Sequence, residues 1–148
     1  MRFRKAGKVT DNLWYLGREE AGVYIFEGRD NAILINGAMS YILPDVLGQM
    51  NAFGIDAKKI GKILILHSHF DHVGIVPYFK RTYPGIDVYA SAPAWKIFAM
   101  PKAIEVMNSY SKLSAKWWGV ESALDAYDLD WLDDITGTTL AEGDKIEL

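Results

Sequence analysis

The chain has 148 residues, of which 50% are hydrophobic, 13% aromatic and 24% charged. This length and composition fit one folded domain and exclude a disordered chain. Cysteine is absent, which excludes disulfides, thiolate metal sites and a cysteine nucleophile. The apolar runs are far shorter than the roughly 20 residues that cross a bilayer, and polar residues follow the basic N-terminus where a secretory signal would be apolar. We therefore expect a cytoplasmic protein with no membrane span.

The net charge of −3 is unevenly distributed along the chain. Residues 1–120 carry fifteen basic and ten acidic side chains, whereas residues 121–148 carry one and nine. The basic residues stand singly among apolar ones, and are not clustered as in nucleic-acid-binding proteins. We therefore expect no nucleic-acid partner and a solvated acidic region near the C-terminus.

The predicted elements alternate between strands and helices. Alternating or continuous apolar runs predict strands over residues 8–17, 21–27, 32–35, 62–66, 86–90, 138–141 and 145–148. Apolar residues at helical spacing predict helices over residues 41–53 and 73–81, and a long helical stretch over 91–131 that Pro101 divides. This order predicts an α/β fold.

All three histidines of the chain lie within the six residues that follow the buried strand 62–66. The four candidate metal ligands in this window are His67, His69, Asp71 and His72. Imidazole and carboxylate are ligands of zinc, and they also suit iron and manganese. In an extended segment, His67 and His69 project to the same side and can reach one ion. Ligand sites are common at this end of a strand in α/β sheets, so the segment predicts a metal site.

The segment His67-Ser68-His69-Phe70-Asp71-His72, followed by Val73-Gly74, resembles the HxHxDH signature of the metallo-β-lactamase superfamily. Segments at family-like distances on both sides extend the resemblance over nearly the whole chain. The resemblance implies an αββα sandwich, of which this chain supplies roughly the N-terminal half, as one domain over residues 1–148. Members of this family are mostly metal-dependent hydrolases, including β-lactamases, thioesterases, lactonases and nucleases that process RNA.

The resemblance assigns His67 and His69 to a first metal ion, and Asp71 and His72 to a second, with zinc as the expected metal. A metal-bound hydroxide would then attack an ester, thioester, lactone, lactam or phosphodiester of a small-molecule substrate. Asp71 would also orient this hydroxide or accept a proton, which makes it the candidate catalytic residue.

Asn36 departs from the family pattern, which usually has an aspartate at this position to support the metal site. Asparagine still accepts a hydrogen bond but adds no negative charge. Both a weakened site and a tolerated variant are compatible with this change.

The resemblance also implies a third histidine for the first metal, a bridging aspartate and a final histidine for the second metal. All three would follow the late hairpin, whereas this chain ends at Leu148. One apolar sheet face would then be left without cover. We therefore expect an N-terminal piece of a longer protein. The rival is a short protein that self-association completes as a homodimer.

The helical insert over residues 91–131 carries aromatic residues that would suit a pocket for an apolar acyl or aryl substrate. In the family such inserts often lie over the metal site. The candidate pocket residues are Trp95, Phe98, Trp117 and Trp118. The alternative is that these aromatics pack the helices onto the sheet, which the helical spacing of Met100, Ile104 and Met107 fits.

Two other functions remain open. A non-catalytic or truncated module of the same fold would act through association, which Asn36 and the missing ligands favour. A diiron redox member of the fold ranks lower, because such members typically carry a carboxylate where this chain has His69.

Overall fold

The structure, a computed structural model, describes residues 5–148. The basic N-terminal residues 1–4, which we did not expect to begin a secretory signal, lie outside the described residues. Among the described helices, none has both the length and the apolar character needed to cross a bilayer.

One mixed sheet of seven strands forms the centre of the described chain, and the strands lie side by side in chain order. The first four strands pair antiparallel, and the fourth to the seventh pair parallel. Their bounds are Gly7–Thr10 (β1), Leu13–Gly17 (β2), Gly22–Glu27 (β3), Ala32–Ile35 (β4), Ile60–Leu64 (β5), Asp87–Ser91 (β6) and Thr138–Leu140 (β7).

The helices connect the parallel strands. Their bounds are Leu43–Phe53 (α1), Val76–Thr82 (α2), Ala92–Phe98 (α3), Pro101–Trp117 (α4) and Glu121–Leu124 (α5). A proline lies in the first turn of α1, α2, α3 and α4, where its missing N–H costs no helical hydrogen bond. Single 3₁₀ turns occupy Ser40–Ile42, Ala57–Lys59 and Phe70–His72.

The two faces of the sheet differ in burial. Paired residues on neighbouring strands share a face, which places one row on the core side: Ile25, Leu34, Ile63 and Val88. All four are fully buried. The next row points to the opposite face and is only partly buried: Tyr24, Ile35, Leu64 and Tyr89. The hydrophobic core therefore lies on one side of the sheet.

Two of the predicted strands differ from the structure: one is divided into two strands, and the other does not form. Residues 8–17 form two strands, β1 and β2, because Asp11 and Asn12 make a turn between them. The predicted strand over residues 145–148 is absent from the structure. Instead, the Asp144 carboxylate accepts a hydrogen bond from the Ala141 backbone N–H at 2.8 Å, which closes a turn directly after β7.

Other predicted elements are confirmed with shifted ends. The strand before the histidines ends at Leu64 instead of residue 66. The helix after them begins at Val76 instead of residue 73, because the N–H groups of Gly74 and Ile75 donate to the carbonyls of Ala38 and Gly37. The helical stretch divides at Pro101 as predicted, and its last helix ends at Leu124.

Candidate metal centre

The candidate ligands lie in the ligand loop, which we define as residues 65–75, directly after β5. The Ile65 N–H still donates to the Tyr89 carbonyl of β6 at 2.8 Å, and the chain then leaves the sheet. The last part of the histidine segment forms the 3₁₀ turn Phe70–His72, in which the His72 N–H donates to the His69 carbonyl at 3.0 Å. The loop thus begins where the sheet ends and turns back within a few residues.

This local path brings the three imidazole rings together. The ring centroids of His67 and His69 lie 4.2 Å apart, and those of His67 and His72 lie 5.1 Å apart. Asp71 Oδ2 lies 3.6 Å from His72 Nε2. About a third of the side chain is exposed in both His72 and Asp71, so their donor atoms remain accessible to an ion or a substrate.

Asn36 lies beside His72, although 36 residues separate the two along the chain. Asn36 Oδ1 is 3.1 Å from His72 Nδ1. The backbone of Asn36 has a φ of +70°, a conformation that asparagine adopts more readily than most residues, and its N–H donates to the Leu64 carbonyl at 2.8 Å. If His72 Nδ1 donates to this oxygen, Nε2 keeps a lone pair on the side of Asp71. Asn36 therefore lies where it can orient the His72 ring, which is the supporting role that the resemblance implies for this position.

Two glycines, Gly37 and Gly74, let the ligand loop approach the residues after β4 closely. A Cβ at Gly37 would lie 2.8 Å from the His72 carbonyl oxygen and 2.6 Å from a Val76 methyl group. A Cβ at Gly74 would overlap the Ser40 backbone nitrogen and lie 2.8 Å from the Ala38 carbonyl oxygen.

Three backbone hydrogen bonds join the same two segments: Gly37 N–H to His72 O at 2.7 Å, Gly74 N–H to Ala38 O at 2.7 Å and Ile75 N–H to Gly37 O at 2.9 Å. Sequence reasoning missed this positioning role of Gly37 and Gly74. The available signal was their position in the sequence, with Gly37 next to Asn36 and Gly74 two residues after His72.

The chemistry of these donors fits a divalent cation, because imidazole and carboxylate are zinc ligands. Their arrangement is one of pairs, His67 with His69 and Asp71 with His72. Within residues 5–148, no group of three or more His, Asp or Glu side chains is placed to hold one ion. A four-coordinate ion at either pair would therefore need further donors.

Aromatic packing fixes the outer side of the ligand loop. The Phe70 ring stacks on Tyr110 of α4, with centroids 5.5 Å apart and planes 23° from parallel. Ser68 is buried. Sequence reasoning did not single out Tyr110 as a neighbour of the histidines, because nothing in the spacing of two residues 40 positions apart indicates that contact.

The predicted pocket residues on α3 lie in different surroundings. Trp95 is partly buried, and its indole N–H donates to the Thr138 carbonyl of β7 at 3.0 Å. Phe98 belongs to the core, with its ring centroid 4.3 Å from that of the buried Trp131. These contacts fit the alternative in which such residues pack the helices onto the sheet.

The predicted pocket residues at the end of α4 are exposed. The Trp117 side chain is 82% exposed, and that of Trp118 is 50% exposed. The Trp118 ring lies 5.8 Å from Tyr41. Burial, reinforced by the Glu20 carboxylate, raises the pKa of Tyr41 to about 12. A substrate pocket that joins the α3 and α4 aromatics stays a prediction.

Arg81 of α2 fastens the acidic segment, which we define as residues 125–135. Its guanidinium donates to both carboxylate oxygens of Asp134, at 2.8 and 2.9 Å, and to the backbone carbonyls of Asp128 and Asp130. This hydrogen bonding lowers the pKa of Asp134 from its ordinary value.

A cavity of about 330 Å³ lies between the acidic segment and α4. Its lining residues include Ser40 and Lys112 and none of the candidate metal ligands.

Comparison with known proteins identifies the fold. A family model described as the metallo-beta-lactamase superfamily matches residues 17–143. The metallo-beta-lactamase GOB-18 from Elizabethkingia meningoseptica has a TM-score of 0.73 at 20% identity, over 98% of this chain and 47% of that chain. A metallo-beta-lactamase from Cronobacter sakazakii has a TM-score of 0.60 at 24% identity, over 65% of this chain and 38% of that one. MIM-1 from Novosphingobium pentaromativorans has a TM-score of 0.58 at 25% identity, over 63% of this chain and 34% of that chain.

These matches confirm the predicted fold class. The chain spans less than half the length of each of these three solved structures. Because the sequence identities are low, the structural likeness concerns the fold, and the residues of the site have to be argued from this chain itself.

Proposed function

The chain belongs to the metallo-beta-lactamase superfamily, and we propose that it supplies the first ligand loop of a metal-dependent hydrolase. The observation that carries this proposal is the gathering of His67, His69, Asp71 and His72 at the end of β5. A solvated loop without a chemical role has no physical reason to bring three imidazoles and a carboxylate into contact. Two strained or close-packed backbone positions, Asn36 and Gly37, support the same loop.

In this proposal, His67 and His69 hold one divalent ion, and Asp71 and His72 hold a second. Zinc suits these ligands best, and iron and manganese are compatible with them. The remaining donors come from outside this set, either from a second copy of the chain or from a further C-terminal half. Either partner would cover the partly buried sheet face that carries Tyr24, Ile35, Leu64 and Tyr89.

A divalent ion held by these residues would activate water near neutral pH and stabilise negative charge on a carbonyl or phosphoryl oxygen. Asp71 would orient that water or take up its proton. Asn36 holds the His72 ring through the contact at Nδ1. The substrate class that follows is a small molecule with an ester, thioester, lactone, lactam or phosphodiester bond. A cytoplasmic location is part of the same proposal.

Hydrolysis of model compounds tests this proposal. Purified chain loaded with zinc, manganese or iron is assayed against an aryl ester, a thioester, a lactam and an aryl phosphodiester. Where a second copy of the chain supplies the remaining donors, we expect turnover of at least one compound with one metal, lost on chelation and reduced by about 100-fold or more in Asp71→Asn, since an essential proton-transfer group contributes about that much.

The matched control is Asp45→Asn. Asp45 resembles Asp71 in exposure, but it lies on α1 and pairs with Arg18, which directly follows β2. Equal loss of turnover in both variants would count against a specific role for Asp71. Metal-independent turnover would count against the proposed hydrolase as a whole.

The partly buried sheet face favours a second candidate, a non-catalytic module that acts through association. Its partly buried row of aromatic and aliphatic residues is a surface of the kind that mediates association. This candidate predicts a stable complex or dimer whose formation does not depend on metal and is unchanged in His69→Ala. The hydrolase proposal predicts metal binding that the same variant loses.

A further inference from the structure

The ligand loop is held by its backbone at both ends but not in its middle. Before the histidines, the Ile65 N–H donates to the Tyr89 carbonyl of β6. After them, three backbone hydrogen bonds join residues 72–75 to the residues after β4. Within the described chain, no backbone hydrogen bond joins residues 66–71 to another segment, although this stretch contains three of the four candidate ligands. Side-chain contacts therefore have to fix its position.

Phe70 provides such a contact. Its ring packs against the hydrophobic core and stacks on Tyr110 of α4, with the ring centroids 5.5 Å apart. Among residues 5–148, no other ring contact joins the middle of the loop to a different element. Because Phe70 lies between His69 and Asp71 in the sequence, a shift of its ring moves a candidate ligand on each side.

The next residue of α4 fixes the helix to the other segment of the site. Ser111 Oγ donates to Ser40 Oγ at 2.6 Å, and Ser40 is only 3% exposed. The backbone nitrogen of Ser40 lies so close to Gly74 that a Cβ there would overlap it. Tyr110 and Ser111 thus contact the ligand loop and the residues after β4, respectively. A single turn of α4 spans the two segments that form the candidate metal centre.

We propose that α4 braces the candidate metal centre, with Tyr110 as a positioning residue that acts through Phe70. An aromatic pair favours the conformation that contains it by a factor of roughly two to ten. Metal affinity falls in proportion to the fraction of molecules that hold the binding conformation. The helical insert therefore sets the metal affinity without supplying a ligand. This inference rests on the proposed metal centre, because it concerns the same four ligands.

Binding of Co²⁺ tests the brace, because the visible spectrum of this ion reports the arrangement of its ligands. Affinity is measured against a competing chelator for the natural chain, Tyr110→Ala and Tyr110→Phe. We expect Tyr110→Ala to bind cobalt about fivefold more weakly, within the range for an aromatic pair, and with an altered spectrum. Tyr110→Phe should match the natural chain, because its ring keeps the stack and no described group hydrogen-bonds to the Tyr110 hydroxyl.

Leu113→Ala is the matched control. Leu113 lies on the same helix and is 55% exposed, against 53% for Tyr110, but it does not belong to the stack on Phe70. We expect this variant to bind cobalt as the natural chain does. Urea denaturation of all variants shows whether a loss of affinity accompanies a general loss of stability.

Amide exchange in the metal-free chain gives a second readout that needs no ion. The His72 N–H donates to the His69 carbonyl within the 3₁₀ turn, whereas the Gly74 N–H donates to the Ala38 carbonyl after β4. In Tyr110→Ala, NMR should show exchange at His72 that is about fivefold faster. Exchange at Gly74 should stay unchanged, because only the middle of the loop loses its support.

Three results would overturn the inference alone: cobalt affinity that is unchanged in Tyr110→Ala, an equal loss in Leu113→Ala, or a loss that Tyr110→Phe shares. A natural chain that binds no cobalt overturns the proposed metal centre. In that case, faster exchange at His72 in Tyr110→Ala upholds α4 as the brace of the loop. Unchanged exchange there overturns both proposals.

Discussion

The ligand loop and the acidic segment are both irregular, yet different interactions hold them in place. The ligand loop is fixed chiefly by main-chain contacts, in which Gly37 and Gly74 allow close approach and three backbone hydrogen bonds join the two segments. The acidic segment is fixed by side chains, chiefly Arg81 and Asn108, which bond to its carboxylate and backbone groups.

This difference explains which chemistry each region can carry. A loop held by its main chain keeps its shape when its side chains change, so its histidines and aspartate are free to bind a ligand. In a segment held by side-chain ion pairs, the charged side chains already bond to one another and are not available to a ligand. Substitutions at the two regions should therefore act through different forces and respond differently to pH.

The largest effect is expected for Gly74→Ala. The added Cβ would overlap the backbone of Ser40, so the ligand loop and the residues after β4 would have to separate. We expect a loss of about 3 kcal/mol in the free energy of unfolding, the upper range for overpacking, measured by urea denaturation. Gly48→Ala is the control, because a Cβ there meets no atom within 4 Å and alanine favours the helix. Equal stability in the two variants would contradict the main-chain account.

Arg81→Ala should have the next largest effect. The substitution removes the charged hydrogen bonds to Asp134 and to the carbonyls of Asp128 and Asp130. We expect a loss of about 2 kcal/mol in the free energy of unfolding and faster amide exchange confined to the acidic segment. Arg29→Ala, at an exposed turn, serves as the control and should change stability little. Faster exchange in the ligand loop instead would show that the two regions are not held independently.

Asn36→Asp tests how a negative charge beside His72 affects metal binding when the backbone conformation is unchanged. Aspartate also tolerates a positive φ, so the backbone is kept while a negative charge is added beside His72. We expect zinc affinity to rise about tenfold, the lower range for groups that support a metal ligand. Asn51→Asp on the exposed side of α1 adds the same charge elsewhere and is the control. A similar rise in both variants would mean that only net charge matters.

Acid should weaken the acidic segment by a smaller amount. The hydrogen bonds from Arg81 lower the pKa of Asp134, so the folded state binds this proton less readily than the unfolded chain. The stabilisation is complete above the ordinary aspartate pKa of about 3.9 and is lost as the pH falls below it. Because Asp134 is half exposed, we expect less than about 1 kcal/mol.

Urea denaturation of the natural chain and Asp134→Asn between pH 3 and 7 measures this effect. The stability difference between them should shrink toward the acid end. A difference that stays constant over this range would exclude the Arg81–Asp134 pair as its source.

The sequence predicted the elements whose pattern is local. The apolar run before His67, the helical spacing before Gly54 and the break at Pro101 are all confirmed within a few residues. The errors occur where contacts between residues that are distant along the chain determine the local structure. The helix after the histidines starts late because Gly74 and Ile75 donate their N–H groups to residues after β4.

The candidate site shows the same division. The histidine segment was visible in the sequence because its ligands lie within six residues. The neighbours that shape it come from distant parts of the chain. The contact between Phe70 and Tyr110 and the close approach at Gly37 depend on how α4 and β4 pack, which no local pattern reveals.

Zinc uptake by the purified chain tests the central claim most directly. Elemental analysis after equilibrium dialysis is carried out on the natural chain, on His69→Ala and on Asn51→Asp. The account predicts that the natural chain and Asn51→Asp take up zinc to the same extent, and that His69→Ala takes up markedly less. Zinc uptake that is near zero in the natural chain, or unchanged in His69→Ala, would contradict the assignment of the ligand loop as a metal site.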